Sequence, residues 1–408
     1  MKKIIQNKCL LISLMVALLV ANGCTISGKP SAYESDYHAA VAYVPGEKYA
    51  AVKENETKLT VQEPLSTFSI DVDTAAYSNV RRFLNSGYLP PQNTVRIEEM
   101  INYFDYDYSS PTEIEEPFNI ISEVGPTPWN NGSYLLHIGV KGYAFDPGEQ
   151  LARNLVFLLD VSGSMDTSNK LELLKKSLRL LVKQLTHQDK ISIVVYAGAS
   201  GVALPATPGN QHHAILGSLE KLRAGGSTNG GEGIQLAYRI AQQNFIEGGI
   251  NRVILATDGD FNVGMSSTHQ LLDLIKSKKR TGISLTVLGF GMGNYNDEML
   301  EKISNAGDGN AAYIDSLLEA QKILVNEVGG TLNTIARDTK IQIEFNPEVV
   351  SSYRLIGYEN RILKNEDFIN DRVDAGDVGA GHSVTALYEI TFNLLGFNSP
   401  QLAAKLGE

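Results

Sequence analysis

From Asn154 onward, short apolar runs alternate with helix-period stripes, and that alternation limits the possible folds more than any other feature of the chain. Leu155-Val156-Phe157-Leu158-Leu159, Ile191-Ser192-Ile193-Val194-Val195-Tyr196, Val253-Ile254-Leu255-Ala256, the stretch Ile283 to Phe290 and the stretch Ala311 to Ile314 read as strands. Between them, Leu171, Leu174, Leu178, Leu181, Val182 and Leu185 mark one helical face. Ile215, Leu219 and Leu222 mark a second, Ile234, Ala237, Tyr238 and Ala241 a third, and Leu271, Leu274 and Ile275 a fourth. Strands that are apolar on both faces belong to a parallel sheet covered by helices on both sides. Residues 153–335 are therefore expected to form a doubly wound, Rossmann-like α/β domain, closed by a helix over Leu317–Thr334.

Three short motifs sit where such a sheet would present a ligand. Asp160-Val161-Ser162-Gly163-Ser164 follows the first strand, and Thr257-Asp258-Gly259 follows the strand that starts at Val253. Gly226-Ser227-Thr228 lies in a glycine-rich loop just before a helix. Open α/β sheets bind ligands outside the carboxyl ends of their strands, at the point where strand order reverses. Two carboxylates and three hydroxyls there supply hard oxygen donors for a small divalent cation. Each piece alone has an ordinary explanation, the serines at a helix start, the threonine in a turn and Asp258 as a strand-end cap. It is their order and placement that make one site of them.

Together the three motifs resemble the metal-ion-dependent adhesion site of the von Willebrand factor type A (VWA) domain: Asp-x-Ser-x-Ser, a distant Thr and a distant Asp. The resemblance covers residues 153–335. It implies that Ser162, Ser164 and Thr228 bind the ion through their hydroxyl oxygens. Asp160 and Asp258 would act through water or through hydrogen bonds to those hydroxyls. Mg²⁺ is the implied cofactor and Mn²⁺ a workable substitute, whereas Ca²⁺ prefers more carboxylate and carbonyl ligands. An ion held this way stays under-neutralised, so the implied partner is a protein presenting a Glu or Asp side chain.

Rival chemistries are weaker. Asp258-Gly259-Asp260-Phe261-Asn262-Val263-Gly264 imitates the opening of an EF-hand loop, but the glycine falls one place late and His269 stands where a Glu is needed. His212-His213 reads as an exposed helix start without further ligands nearby in sequence. No nucleophile elbow and no HExxH motif occurs, so no catalytic residue is assigned and the chain is not expected to be an enzyme. The formal charge of -11 argues against a nucleic-acid partner, because no basic surplus exists to neutralise phosphates.

The N-terminus points to export. Met1-Lys2-Lys3 precedes an apolar run from Cys9 to Ala21, shorter than the roughly 20 residues needed to span a bilayer but suited to a signal peptide over residues 1–23. Ala21-Asn22-Gly23-Cys24 resembles a lipoprotein signal, which implies lipidation of Cys24 and a membrane anchor. Cys9 and Cys24 are the only cysteines, so the processed chain keeps one thiol and has no partner for a disulfide. By resemblance to Gram-negative lipoproteins, Thr25 after that cysteine favours the outer membrane over other sites in the cell envelope.

Around the α/β region, residues 24–62 carry no apolar period and are expected to tether the lipidated Cys24 flexibly to the folded body. Residues 63–117 read as a small α+β unit: a strand at Phe68–Val72, a helix capped by Asp73, and a second helix carrying Ile97, Met100, Ile101 and Phe104. Residues 118–152 and 336–408 return to period two, through Phe118, Ile120 and Val124, through Tyr134, Leu136, Ile138 and Val140, and later through Ile341, Ile343, Phe345, Val384, Ala386, Tyr388 and Ile390. These flanks are expected to pair as one β-rich, sandwich-like domain with the VWA domain inserted. They also resemble bacterial lipoproteins that carry a VWA domain between such segments, which implies a C-terminal region truncated at Glu408. The expected function is an envelope-anchored, metal-dependent adhesion or assembly module. The alternatives are a scaffold lipoprotein with a non-essential metal site and, behind it, a metal-assisted hydrolase.

Overall fold

The computed structural model describes residues 45–145, 151–259, 268–326 and 333–393. The expected signal peptide, Cys24, the start of the tether and most of the EF-hand-like stretch lie outside the described residues. In chain order the elements before the α/β region are β1 (Lys58–Leu59), β2 (Leu65–Ser69), α1 (Ala75–Asn85), α2 (Ile97–Asn102), β3 (Phe118–Pro126) and β4 (Tyr134–Gly142). The α/β region opens with β5 (Arg153–Asp160), α3 (Leu171–Val182), β6 (Lys190–Tyr196), β7 (Ser200–Pro208), α4 (His212–Lys221) and α5 (Gly230–Gln243). It continues through β8 (Ile250–Thr257), α6 (Thr268–Lys279), β9 (Ser284–Phe290), α7 (Asp297–Ala306), β10 (Ala311–Ile314) and α8 (Leu317–Gln321). After it come β11 (Thr334–Glu344), β12 (Val350–Ile356), β13 (Gly376–Gly379) and β14 (Ser383–Phe392).

Alternate residues of β5 feed two cores. Leu155, Phe157 and Leu159 pack with Leu174, Leu178 and Leu181 of α3 on one face of the sheet, while Val156 and Leu158 pack with Ile234, Ala237 and Tyr238 of α5 on the other. Burial on both faces is why this strand reads as an unbroken apolar run. The sheet has the order β10-β9-β8-β5-β6-β7, parallel except for β7, which runs antiparallel to β6 at the edge. Strand β7 was not expected from the sequence. It is only partly buried, so its residues carry no clean period. The closing helix also differs from expectation: α8 ends at Gln321 and continues through Lys322–Asn326 with π-type hydrogen bonding.

The second sheet has the order β1-β12-β14-β4-β3 and is antiparallel throughout. Strand β4 pairs with β14 from Tyr134↔Ile390 to Lys141↔Ser383, so segments from either side of the α/β region lie side by side and that region is inserted between them. Strand β11 pairs elsewhere, with β2 (Ile341↔Phe68) and with β13. Phe68, Ile138, Val140, Phe345, Tyr353 and Tyr388 fill the core between these sheets, Phe345 stacking on Tyr353 at 4.2 Å between ring centroids. The outer apolar positions of β3, Ile120 and Val124, are exposed.

Residues 63–117 consequently do not make a unit of their own. Strand β2 joins the β domain, while α1 packs on β10, with Ser78 Oγ donating to Tyr313 O at 2.7 Å. Phe104 falls beyond α2 and is exposed. Nor does Asp73 cap α1. Its Oδ1 accepts from Ala311 N at 2.8 Å, and Glu99 Oε2 takes the Ala76 N–H at 2.7 Å instead. The expected tether is docked over its last part: Lys48 N donates to Tyr295 O at 2.9 Å, Arg82 grips the Glu47 carboxylate at 2.7 and 2.9 Å, and β1 pairs with β12. Backbone and charge hold this segment, which is why it shows no apolar period.

The α/β and β domains meet at a buried charged seam. Arg361 donates to Asp71 Oδ2 at 3.0 Å and to Asn305 Oδ1 at 3.1 Å, with Asp73 3.5 Å away, and Arg96 bridges Glu99 and Asp297. Glu98 Oε2 accepts the N–H of Tyr358, a buried residue at φ 60°, in the left-handed region where a bulky side chain is uncommon. Burial, reinforced by the Asp71 and Glu99 charges, pushes the Glu98 carboxyl up to about 7; burial also raises Asp73, Glu99 and Glu301.

A carboxyl raised in the folded state stabilises the fold fully below its unfolded value of about 4.5, and that contribution is lost as pH climbs through about 7. For Glu98 the loss is on the order of 3 kcal/mol. Glu98→Gln keeps an acceptor for Tyr358 N and removes the charge. Thermal melts at pH 5 and pH 8 should show the variant gaining a few degrees over wild type at pH 8 and little at pH 5. Equal differences at both pH values would count against the seam as a pH-sensitive joint.

Candidate metal centre

Strand β5 delivers Asp160 to the carboxyl edge of the sheet between β8 and β6, where the chain reverses its direction of winding. The side chain is fully buried, and both of its oxygens accept hydrogen bonds. Oδ1 accepts Ser162 N at 2.9 Å; Oδ2 accepts Tyr196 OH at 3.2 Å and Thr257 Oγ1 at 3.1 Å. Burial, with a smaller push from the Asp258 charge, raises this carboxyl to about 6 against the lowering effect of its hydrogen bonds to Ser162 and Thr257.

The loop after Asp160 is pinned from below by Met165, which is fully buried in the core under α3. Ser162 is held in extended backbone (φ −62°, ψ 165°), and its Oγ lies 3.0 Å from Ser164 Oγ. Two backbone bonds stitch the glycine-rich loop to this turn: Gly225 N to Val161 O at 2.8 Å and Gly163 N to Gly226 O at 3.0 Å. Thr228 stands two residues beyond that stitch, at the entrance to α5, and is half-buried.

Asp258, fully buried, follows β8. It accepts Lys170 Nζ at 2.9 Å and further hydrogen bonds from Asn294 and Ser164. Burial alone would raise its carboxyl, but these bonds and the Lys170 charge outweigh it and hold the group below the usual carboxylate range. Next to it, Gly259 (φ 96°) abuts Tyr295 and Asn296 so closely that a Cβ would strike their backbone. That approach brings the loop after β9 over the site.

Contacts therefore unite Asp160, Ser162, Ser164 and Asp258, and the loop of Thr228 reaches them through its backbone. Tyr196, Thr257, Lys170 and Asn294 complete the arrangement; of these only Thr257 stood in a sequence motif, and it was given no role there. Thr257 adjoins an expected ligand at a strand end, which is a readable signal. Lys170 looks like any charged residue ahead of an apolar helix stripe. His212 begins α4 as expected and touches Leu185 O.

The donors suit a hard cation. Among the described residues no group of three or more His, Cys, Asp or Glu side chains is placed to hold a metal ion, so an ion here would rest on serine and threonine hydroxyls backed by Asp160 and Asp258. Neutral first ligands with carboxylates behind them suit Mg²⁺, which keeps bound waters, better than Ca²⁺.

Comparison with known proteins agrees with this architecture. Residues 154–326 match the family model described as von Willebrand factor type A domain, residues 44–137 one described as von Willebrand factor, and residues 330–402 one described as Uncharacterized protein YfbK, C-terminal. The chain is 48% identical over 352 residues to Uncharacterized protein YfbK of Escherichia coli (strain K12), a match covering 85% of this chain and 61% of that protein. Uncharacterized protein sll0103 of Synechocystis is 29% identical, over 45% of this chain and 43% of its own. The chain thus spans about three fifths or less of the length of these relatives. A crystal structure of the conserved hypothetical protein BatB from Bacteroides thetaiotaomicron aligns at 25% identity and TM-score 0.37, over 43% of this chain and 96% of that one. The protein carries a von Willebrand factor type A domain, within a chain similar over most of its length to an uncharacterised bacterial protein.

Proposed function

We propose that this protein is a divalent-cation-dependent protein-binding module, displayed on a bacterial envelope through a lipid on Cys24. The observation that carries the reading is the convergence of Asp160, Ser162, Ser164 and Asp258 at the sheet edge, with the Thr228 loop stitched beside them. Domains of this class commonly mediate protein–protein interaction. A Mg²⁺ ion, or Mn²⁺ in its place, would be held by Ser162, Ser164 and Thr228, and would supply a Lewis-acidic position for a Glu or Asp of the partner. Its carboxylate supports lie behind the hydroxyls, so the ion keeps positive charge to offer. The hydroxyls that a hydrolase would need as nucleophiles are spent as ligands in this arrangement, which favours binding over catalysis.

A second reading, a scaffold whose site needs no ion, draws on one observation: Lys170 already balances Asp258. Metal titration separates the two. Calorimetry on the purified protein should show one-site binding of Mg²⁺ or Mn²⁺, weakened at least about tenfold by Asp160→Ala and by Thr228→Ala, a loss of about 1.4 kcal/mol or more. Unchanged affinity in both variants would remove the ion from the function.

The anchor is tested separately. Stable membrane attachment takes two or more acyl chains at about 0.8 kcal/mol per buried CH₂. Among the described residues no helix is long and apolar enough to cross a membrane. Cys24→Ser should therefore shift the protein from the membrane to the soluble fraction and abolish incorporation of labelled fatty acid. Failure of the wild-type protein to incorporate that label refutes the anchor and leaves the metal reading standing.

A further inference from the structure

We propose that Lys170 is a positioning residue that sets the net charge of the metal centre, opposing the ion when no ligand is bound and strengthening the demand for an acidic ligand once the ion is held. The inference rests on the metal reading above and goes on to assign a residue that the adhesion-site motif does not include.

The geometry is built for it. Lys170 immediately precedes α3, and its side chain turns inward and is 8% exposed. The aliphatic stem runs against Gly291 (φ 73°), where a Cβ would collide with the lysine's methylenes. Only a residue without a side chain leaves that channel open, and Gly adopts this backbone at no steric cost. At the channel's end the ammonium donates to Asp258 Oδ2 at 2.9 Å and to Asn294 Oδ1 at 3.0 Å. Asp258 also accepts from Asn294 and Ser164, so the ammonium is not its sole support.

Charge arithmetic gives the consequence. Asp160 and Asp258 are the carboxylates of the site, and together they would neutralise a divalent ion. With the Lys170 ammonium added, the filled site retains a positive charge, and a carboxylate from outside restores neutrality. In the empty site the same ammonium already compensates Asp258, so an incoming cation meets a partner that is taken and a like charge beside it. Two cations that draw on one buried carboxylate repel each other more strongly than they would in water. Lysine should therefore weaken metal binding in the absence of ligand and tie ion retention to ligand capture.

Two effects of removing Lys170 compete: relief of repulsion tightens metal binding, and loss of a hydrogen bond loosens Asp258. Because Asn294 and Ser164 still hold Asp258, relief should win. The test is calorimetric titration of Mg²⁺ alone into the intact protein and into Lys170→Gln, Lys170→Met and Lys170→Arg, with thermal melts to monitor folding. Gln keeps a donor for Asp258 without the charge, and so protects the test should Met fail to fold. Gln and Met should bind Mg²⁺ at least about tenfold tighter than wild type, while Arg, which keeps the charge, should stay near the wild-type value. Binding by Gln and Met that is no tighter than wild type overturns the proposal. So does equal tightening in Arg, which would trace the effect to packing. If wild type binds and only these comparisons fail, the metal reading survives; if no variant and no wild type binds Mg²⁺, both fall together.

Discussion

A carboxylate buried at the end of the central strand governs how the rest of the α/β domain is arranged. Taking Asp160 out of water is costly unless its oxygens find donors, and here Ser162, Tyr196 and Thr257 supply them from three different stretches of chain. Tyr196 ends β6 and Thr257 ends β8, the two neighbours of β5, so the register of the sheet is what places those donors. A slip of one residue in either strand would turn its donor to the opposite face. The same bonds turn the chain sharply after Asp160 and bring the buried Ser162 hydroxyl to 3.0 Å from the half-buried Ser164 hydroxyl. Sheet register, burial of one acid and the placement of two hydroxyls beside it are in this sense a single constraint.

How much of this was legible in the sequence depended on whether a residue acts through its neighbours in the chain or through distant ones. The α/β core was readable because β5, β6, β8 and β9 are apolar on both faces, and the stripe of α3 is regular. The candidate ligands were readable because their motifs fall directly after those strands. Strand β7 was not, since an edge strand with one wet face and partial burial loses its period. The role of Asp73 was misread because Ala311, whose N–H it accepts, lies far along the chain, whereas a cap is a local idea. Lys170 was invisible for the same reason: its partners, Asp258 and Asn294, belong to loops brought over it by the fold.

The insertion of one domain in another shows the same distinction. Period-two patterning marked β4 and β14 as strands, and their pairing followed from economy, since each needed a partner. What patterning could not assign was the partner of β11, which lies against β2 although the intervening chain includes the whole α/β domain. Alternation fixes which face of a strand is buried but says nothing about which strand lies beside it. The charged seam carries still less signal, because Arg96, Arg361 and the acids around them look like surface residues until their burial is seen.

The loop from Gly291 to Asn296 joins these levels. On one side Gly293 N donates to Glu47, and Tyr295 O accepts from Lys48, so the N-terminal segment lies against it. On another side Asn294 reaches Lys170 and Asp258, at the metal centre. Just beyond it, Asp297 opens α7 and pairs with Arg96 at the seam between the domains. Tyr295 is buried in the α5 core and packs edge-on to Tyr313 at 4.9 Å, which fixes the middle of the loop. A loop held on every side cannot shift at one contact without stretching another, because packed interiors are stiff. The geometry around Asp258 therefore depends on the segment that leads to the N-terminus and on the seam with the β domain, as well as on the α/β fold that carries it.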